Sequence, residues 1–404
     1  VINLEISARL ETLAEQAHMA AVHVLRPISR KYDLSEHTYP VELDTLAELI
    51  AQANAANAGV DAPQESEPAA AERAAAGNRD GRNLASLVGV IEMCWGDVGL
   101  MLTLPRQGLG QAAIAAVATP EQLERFGGRW AAMAITEPEA GSDSAAIRTT
   151  AVLDGDEYVL NGEKIYVTSG DRAELIVVWA TLDRSQGRGA IKSFVVERDN
   201  PGLKLDRLEH KLGIRASDTA NFVLDNCRVP KENLLGAAEI TTAREGFAGV
   251  MQTFDNTRPI IAGMAVGVAR ASLERTRELL EEAGVQISYD TPLMAQSAAC
   301  AEFIRLEADW EAARLLAFKA AWMADNRVPN TLAASISKAK AGRVATEITL
   351  RCVALCGAVG YGEDELLEKW ARDAKILDIF EGTQQIQQLV IARQLLGKSS
   401  AELR

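Results

Sequence analysis

The chain has 404 residues, a formal net charge of −14 and a sequence pI near 5.0. This acid balance cannot neutralise a phosphate backbone broadly and argues against a nucleic-acid binder, although a few placed arginines and backbone N–H groups would still suit an anionic ligand. Hydrophobic residues make up 48% and aromatics only 5%, so an aliphatic, Ala-rich, helical core in two or three units is expected. No apolar run approaches 18 residues and no charged-then-apolar N-terminus is seen. Neither a membrane span nor a secretory signal is read, and a cytoplasmic protein is the expectation. Five cysteines (Cys94, Cys227, Cys300, Cys352, Cys356) are scattered and odd in number, which does not make a disulfide framework. Cys352 and Cys356 lie one helical turn apart with no histidine near them in sequence, so small buried thiols are expected and no metal site.

Residues 1 to about 52 read as helices, with Leu10, Leu13 and Ala17 and then Leu43, Leu46, Leu49 and Ile50 at helical intervals. His18 and His23 fall off a single face, against a metal pair. Residues 53–82 lose the period, are rich in Ala, Glu, Pro and Gly, and read as a surface loop. A helix resumes over 84–94, and Thr119 and Pro120 open another as N-cap and first helical residue. From about 131 the pattern changes. Glu157–Thr168 reads as two extended runs around Asn161-Gly162, a hairpin signal. Residues 175–180, 191–197 and 220–224 are further strands, and 225–236 a polar exit. After Thr241 the 3.6-residue period returns, predicting helices over 243–284, 292–326, 329–357 and 363–396, a set suited to a four-helix bundle. The fold class expected is α+β, multidomain and mainly α. An N-terminal α-helical domain covers 1–130, a middle β-barrel or sandwich domain 131–240, and a C-terminal four-helix-bundle domain 241–404.

Two stretches carry chemistry. In the first, Ile376, Ile379 and Phe380 recur at helical spacing, stop at Glu381-Gly382-Thr383, and a second helical run follows from Ile386 to Leu396. The residues alone leave two readings for Glu381. It is a capping acid at a helix start, favoured by the dipole, or a carboxylate beside a glycine that lets the chain approach a ligand closely. The second stretch is Ala134-Ile135-Thr136-Glu137-Pro138-Glu139-Ala140-Gly141-Ser142-Asp143-Ser144. It offers hydroxyls and a Gly-Ser turn whose free N–H groups would cradle an anion.

Together the two stretches resemble the acyl-CoA dehydrogenase family. The resemblance runs from about residue 84 onward and includes Asn161-Gly162-Glu163-Lys164 leading to Tyr166-Val167-Thr168, Lys211-Leu212-Gly213-Ile214-Arg215, and Phe254-Asp255-Asn256-Thr257-Arg258-Pro259. It implies FAD as cofactor, with Ile135, Thr136, Gly141 and Ser142 lining the flavin and its pyrophosphate. Tyr166 and Thr168 would sit against the ring, and Thr383 and Gln385 would complete the cofactor site. The family usually has Trp where Tyr166 stands. Ser142, Asp255, Arg258 and Gly382 would face the acyl-CoA, and Gly96, Gly99 and their neighbours between Trp95 and Leu104 would line the acyl pocket or simply allow close helix packing. Glu381 would be the base, because some relatives carry it at the position of Thr257, which cannot do that job. The reaction implied is α-proton abstraction with β-hydride transfer to flavin N5, giving a trans-2-enoyl-CoA, and reoxidation by an electron-transferring flavoprotein. A flavin oxidase or monooxygenase of the same fold, and a non-catalytic subunit of a dehydrogenase complex, are the rival readings.

The sequence departs from the family in two segments that hold the ADP half of a neighbour's FAD. The Arg-x-x-Phe-Gly segment is replaced by Leu280-Glu281-Glu282-Ala283-Gly284-Val285, and Gln-x-x-Gly-Gly-x-Gly by Ala354-Leu355-Cys356-Gly357-Ala358-Val359-Gly360. Alanine supplies no donor to phosphate. Two assemblies are expected as alternatives: a homo-oligomer with a reshaped ADP site, or a hetero-oligomer with a second acyl-CoA dehydrogenase-like chain that supplies the missing donors.

Overall fold

The computed structural model describes residues 6–58, 81–106, 109–240, 248–399 and 402, with the backbone alone over 53–58 and 248–256. Helix α1 (Ala8–Ala20) passes through a π-helical turn (Ala21–Leu25) into α2 (Arg26–Leu34). Then follow α3 (Glu42–Ala58), α4 (Arg82–Gly96), α5 (Val98–Thr103), α6 (Leu109–Val117) and α7 (Pro120–Phe126). The loop expectation for 53–82 is corrected at its ends: α3 continues through Ala58, because the Ala-rich run before Gly59 favours a helix, and α4 starts at Arg82. Residues 59–80 of that expected loop lie outside the described residues. Helix α7 begins as expected. Thr119 Oγ1 accepts from the Gln122 N–H at 3.3 Å while Gln122 Oε1 accepts from the Thr119 N–H at 3.0 Å, a reciprocal cap.

The middle of the chain forms one seven-stranded sheet: β1 (Ala131–Ala134), β2 (Thr150–Asp154), β3 (Glu157–Thr168), β4 (Leu175–Thr181), β5 (Ile191–Glu197), β6 (Leu203–Leu208) and β7 (Thr219–Pro230). The order is β1-β4-β2-β3-β7-β6, with β5 also on β4. Strand β4 is buried along its whole length, as its unbroken Leu-Ile-Val-Val-Trp-Ala-Thr run requires. It meets β1 in parallel and β5 antiparallel, but touches β2 only where Thr150 faces Thr181.

Two strand expectations are corrected. Asn161-Gly162 is not a hairpin turn, since β3 runs straight through it. The hairpin turn lies between β2 and β3 at Gly155, whose φ is +65°. Gly162 instead marks a register shift against β7, where a Cβ would stand 2.4 Å from Thr149 Oγ1. The second correction concerns 225–236: β7 continues to Pro230 with Cys227 and Val229 inward, while Arg228 points out to Asp154 (2.7 Å) and Glu157 (3.2 Å). The polar residues there are the outer face of a strand.

The C-terminal helices are α8 (Ala248–Glu282), α9 (Ala298–Asp325), α10 (Thr331–Tyr361), α11 (Leu367–Ala374) and α12 (Gln384–Leu396). The fourth helix expected over 363–396 is two helices separated by a 3₁₀ turn (Lys375–Asp378) and the Glu381 segment. Helix α10 is long and apolar enough, by length and composition alone, to cross a membrane. Here it packs against α8 and α9, and its residues Ala341, Val344, Ala345 and Ile348 enter the same core as Leu87 and Ile91 of α4 and Val266 of α8.

The units meet at a buried ion cluster. Asp97, the N-cap of α5, accepts from Leu100 N–H at 2.8 Å, from Ser29 Oγ and from Lys369 Nζ at 2.7 Å. Lys369 Nζ also donates to Asp373 at 2.5 Å, and the other Asp373 oxygen accepts from the Ile214 N–H at 2.5 Å. Burial disfavours the Lys369 charge, yet the two carboxylates outweigh it and hold its pKa above the ordinary lysine value. Lys369→Met would leave two acids buried without their counter-charge. It is expected to cost about 3–5 kcal/mol, read as a lower urea midpoint with an unchanged slope.

Candidate functional site

The first group of expected site residues gathers at the end of β1 and along β3. Ile135 and Thr136 continue β1, and the Thr136 carbonyl accepts from the Ile165 N–H at 2.9 Å. Tyr166 stands at a register shift of β3 with φ +58°, its N–H donating to Asn221 Oδ1 at 3.1 Å, and its ring is 61% exposed. Thr168 is exposed as well, whereas Lys164 and Val167 turn inward, so the bulge sets Tyr166 and Thr168 on one open face. Gly141 and Ser142 lie exposed in the following turn, which begins with a close Glu137–Ala140 backbone pair.

What holds that turn was not among the expected site residues. Lys164 Nζ, fully buried, donates to the Ile135 carbonyl at 3.1 Å and to Glu137 Oε1 at 2.6 Å. Glu137 further accepts from the Thr149 hydroxyl (2.5 Å) and from the N–H groups of Arg148 (2.5 Å) and Thr149 (3.0 Å). Burial pulls the Lys164 pKa down to about 8. For Glu137 burial works upward, but Lys164 and the hydrogen bonds win and hold it below the usual carboxylate range. Both residues lie inside the motifs singled out from the sequence, where each is a charge next to apolar alternation.

The second group gathers at the break between α11 and α12. Glu381 has φ +57° and Gly382 φ +93°, so two successive left-handed residues turn the chain. Glycine suits φ at 382, and a Cβ there would also lie 2.5 Å from Gln387 Nε2 and displace that amide. Thr383 caps α12, its hydroxyl accepting from the Ile386 N–H at 3.3 Å, and Gln385 is exposed on the first turn. The half-buried Glu381 carboxylate accepts from Thr257 Oγ1 of α8 at 3.0 Å. Burial raises its pKa above the ordinary glutamate value, opposed by the Thr257 hydroxyl and the charges of Arg258 and Lys338. The turn is held from behind by Lys338 Nζ on the Gly382 carbonyl (2.7 Å) and by Gln387 Nε2 on the carbonyls of Glu381 and Gly382 (3.2 Å each).

Thus Thr257, Arg258, Glu381 and Gly382 are brought together, and Ile135, Thr136, Tyr166 and Thr168 form a separate face. The 211–218 segment links them: the Asp218 carbonyl accepts from Ser169 N–H just after β3, and Ile214 N–H is bonded to α11. The side chain of Asp255 lies outside the described residues. Gly96 and Gly99 serve close packing, with Ala21 and Ile214 against them. Cys352 is a buried thiol, pushed up to about 11 by burial. The two departing segments lie at the ends of α8 and α10; a paired contact joins Arg275, before the first, to Glu365, after the second (2.8 and 2.7 Å), and Ala354 and Ala358 are exposed. Of the residues not foreseen, Lys338 had a signal: it shares a helical face with Ala334, Ala341 and Ala345, where a core residue is the norm.

Family models for the acyl-CoA dehydrogenase middle domain and C-terminal domain match residues 132–227 and 244–396. The short-chain-specific acyl-CoA dehydrogenase of Clostridium acetobutylicum is 34% identical over 324 residues, covering 78% of this chain and 83% of that protein. The mitochondrial short-chain-specific acyl-CoA dehydrogenase of Rattus norvegicus is 40% identical over 263 residues, 65% of this chain and 62% of the rat protein. The butyryl-CoA dehydrogenase structure from Megasphaera elsdenii superposes with a TM-score of 0.81 at 29% identity, over 98% of this chain and 100% of that one. The chain belongs to the acyl-CoA dehydrogenase family.

The depressed Glu137 carboxylate contributes stability that is present above its unfolded pKa and is lost as pH falls through its folded value. Glu137→Gln is expected to destabilise the chain by about 3 kcal/mol at pH 7. Urea denaturation of both proteins at decreasing pH should show that gap closing below pH ~4.5.

Proposed function

We propose that this chain is an FAD-dependent acyl-CoA dehydrogenase in which Glu381 removes the α-proton of an acyl-CoA thioester. The observation that carries the reading is the Glu381 carboxylate itself. It sits on a strained turn rather than a helix face, half-buried, with its pKa raised by burial and its oxygen aligned by Thr257. An α-proton next to a thioester is weakly acidic, so its removal needs a fixed base whose affinity for a proton is raised. A carboxylate used only as a helix cap would gain from ionisation and would not be placed where burial opposes it; here Thr383 caps α12 instead.

The residues of the β1–β3 face fit a flavin. An exposed aromatic ring, the hydroxyls of Thr136, Ser142 and Thr168, and an exposed Gly141-Ser142 turn give stacking area and donors along one open face. FAD, when bound, takes up the hydride from the substrate β-carbon. Within the chain, Tyr166 and Thr168 would hold the ring, Gly141 and Ser142 the pyrophosphate, and Thr383 with Gln385 the rest of the cofactor. Arg258 and Asp255 would brace the acyl-CoA. Electrons would leave to an electron-transferring flavoprotein, and similarity to short-chain-specific relatives makes a short acyl chain the first substrate class to assay.

Assembly follows from the bundle end. Ala354 offers a methyl group where the family resemblance calls for the donor of a Gln, and the Cβ of Ala358 stands where it calls for Gly, so a second acyl-CoA dehydrogenase-like chain is proposed to complete the cofactor site.

Glu381→Gln, co-expressed with a related chain so that flavin is retained, is expected to lower kcat by 10³-fold or more, on the order of a positioned base's full contribution, while keeping the flavin content of the wild type prepared in the same way. Turnover of any acyl-CoA at the wild-type rate by this variant would sink the base assignment. The chain purified alone should carry little flavin and gain it on co-expression with a related chain. Full flavin in a stable homo-oligomer, by absorbance and native mass, would count against the second chain.

A further inference from the structure

Lys338 is 1% exposed in the middle of α10. Its ammonium donates to a backbone carbonyl, that of Gly382, and among the described residues it forms no ion pair. A buried ammonium that is not matched by a contacting carboxylate is costly, so an apolar residue would serve the core of α10 better. The same helical face supplies the contrast, with Ala334, Ala341 and Ala345 at neighbouring positions. The carbonyl it holds belongs to a turn that needs holding: Glu381 is a non-glycine residue at φ +57°, a left-handed conformation that L side chains disfavour.

We propose that Lys338 is a positioning residue for Glu381, fixing the Glu381–Gly382 turn through the Gly382 carbonyl and placing a positive charge within electrostatic reach of the carboxylate. The proposal rests on the reading of Glu381 as the base. The surroundings of Glu381 divide by element. Helix α8 supplies the Thr257 hydroxyl and the Arg258 charge, α12 supplies Gln387, and the 3₁₀ turn supplies Asp378, which faces Lys338. Burial raises the Glu381 pKa, and Lys338 and Arg258 both oppose the rise, since a positive charge nearby favours the ionised carboxylate. Lys338 is itself lowered by burial to about 8, so it is mostly charged at neutral pH.

The test follows Glu381 directly. The carboxylate infrared band that disappears in Glu381→Gln reports the ionisation of Glu381 in the purified protein without any substrate. Its midpoint is expected to move upward by about one pH unit in Lys338→Met and in Lys338→Gln, and to return in Lys338→Arg. Glutamine keeps a donor for Gly382 and drops the charge, so it carries the test should the methionine variant not fold. In turnover, Lys338→Met is expected to lose about ten-fold in kcat with little change in KM, because the base is displaced while substrate contacts remain. A band midpoint that stays at the wild-type pH in both neutral variants would overturn the proposal, whatever Glu381→Gln does to activity. Turnover at the wild-type rate by Glu381→Gln would instead sink the base assignment and leave the band shift to judge the charge placement.

Discussion

One buried ammonium ties the parts of this chain to each other. Lys369 bridges Asp97 at the start of α5 and Asp373 at the end of α11, and through them reaches Ser29 of α2 and the backbone of Ile214. A buried ion cluster of this kind roughly breaks even against a well-packed apolar one, but any member left alone is expensive. Its contribution is therefore to placement: only the arrangement with all three partners present is tolerated. Because α11 runs directly into the Glu381 turn, and the 211–218 segment reaches the end of β3, that arrangement sets the distance between the two halves of the proposed site.

The two halves share a device. In each, a buried lysine donates to the backbone carbonyl of an irregular turn: Lys164 to Ile135 and Lys338 to Gly382. Side-chain length lets the ammonium reach across from a regular element, β3 or α10, to a segment that has no ladder of its own. Turns that carry functional groups cannot satisfy their carbonyls by helix or sheet bonding, and a buried cation is a strong donor for that purpose. Lys164 differs in having Glu137 as a counter-charge in direct contact.

Much of this was legible in the sequence, because it was written in periodicity and in local motifs. The helical intervals before 52 and after 241, the unbroken apolar run of 175–180, the Thr119 cap and the break at Glu381 all depend on neighbours within one or two turns. The failures share a cause as well. Asn161-Gly162 has the composition of a turn, but a long-range fact, the approach of Thr149, decides that it is a bulge in a continuous strand. Residues 225–230 look like a polar exit because the outer face of an edge region is polar; only pairing with β3 shows them to be strand. Lys338 and Lys164 are not legible as site residues because each stands near another charge, Lys340 or Glu163, and reads as surface until its partner, forty-four residues away for Lys338, is known.

The Lys369–Asp97 contact joins residues 272 positions apart. During synthesis, Asp97 leaves the ribosome on the order of ten to fifty seconds before Lys369 is made, at ordinary elongation rates. The N-terminal helices must spend that interval with an acid at their core and without the ammonium that contacts it, having the Leu100 N–H, the Ser29 hydroxyl and the nearby Arg26 charge to compensate it, so their final packing waits for α11. The sheet, whose strand pairings all lie within 131–230, is free to form first. Folding of this chain is thus closed late and from the C-terminal side, when α11 brings the counter-charge that lets both ends of the sequence dock.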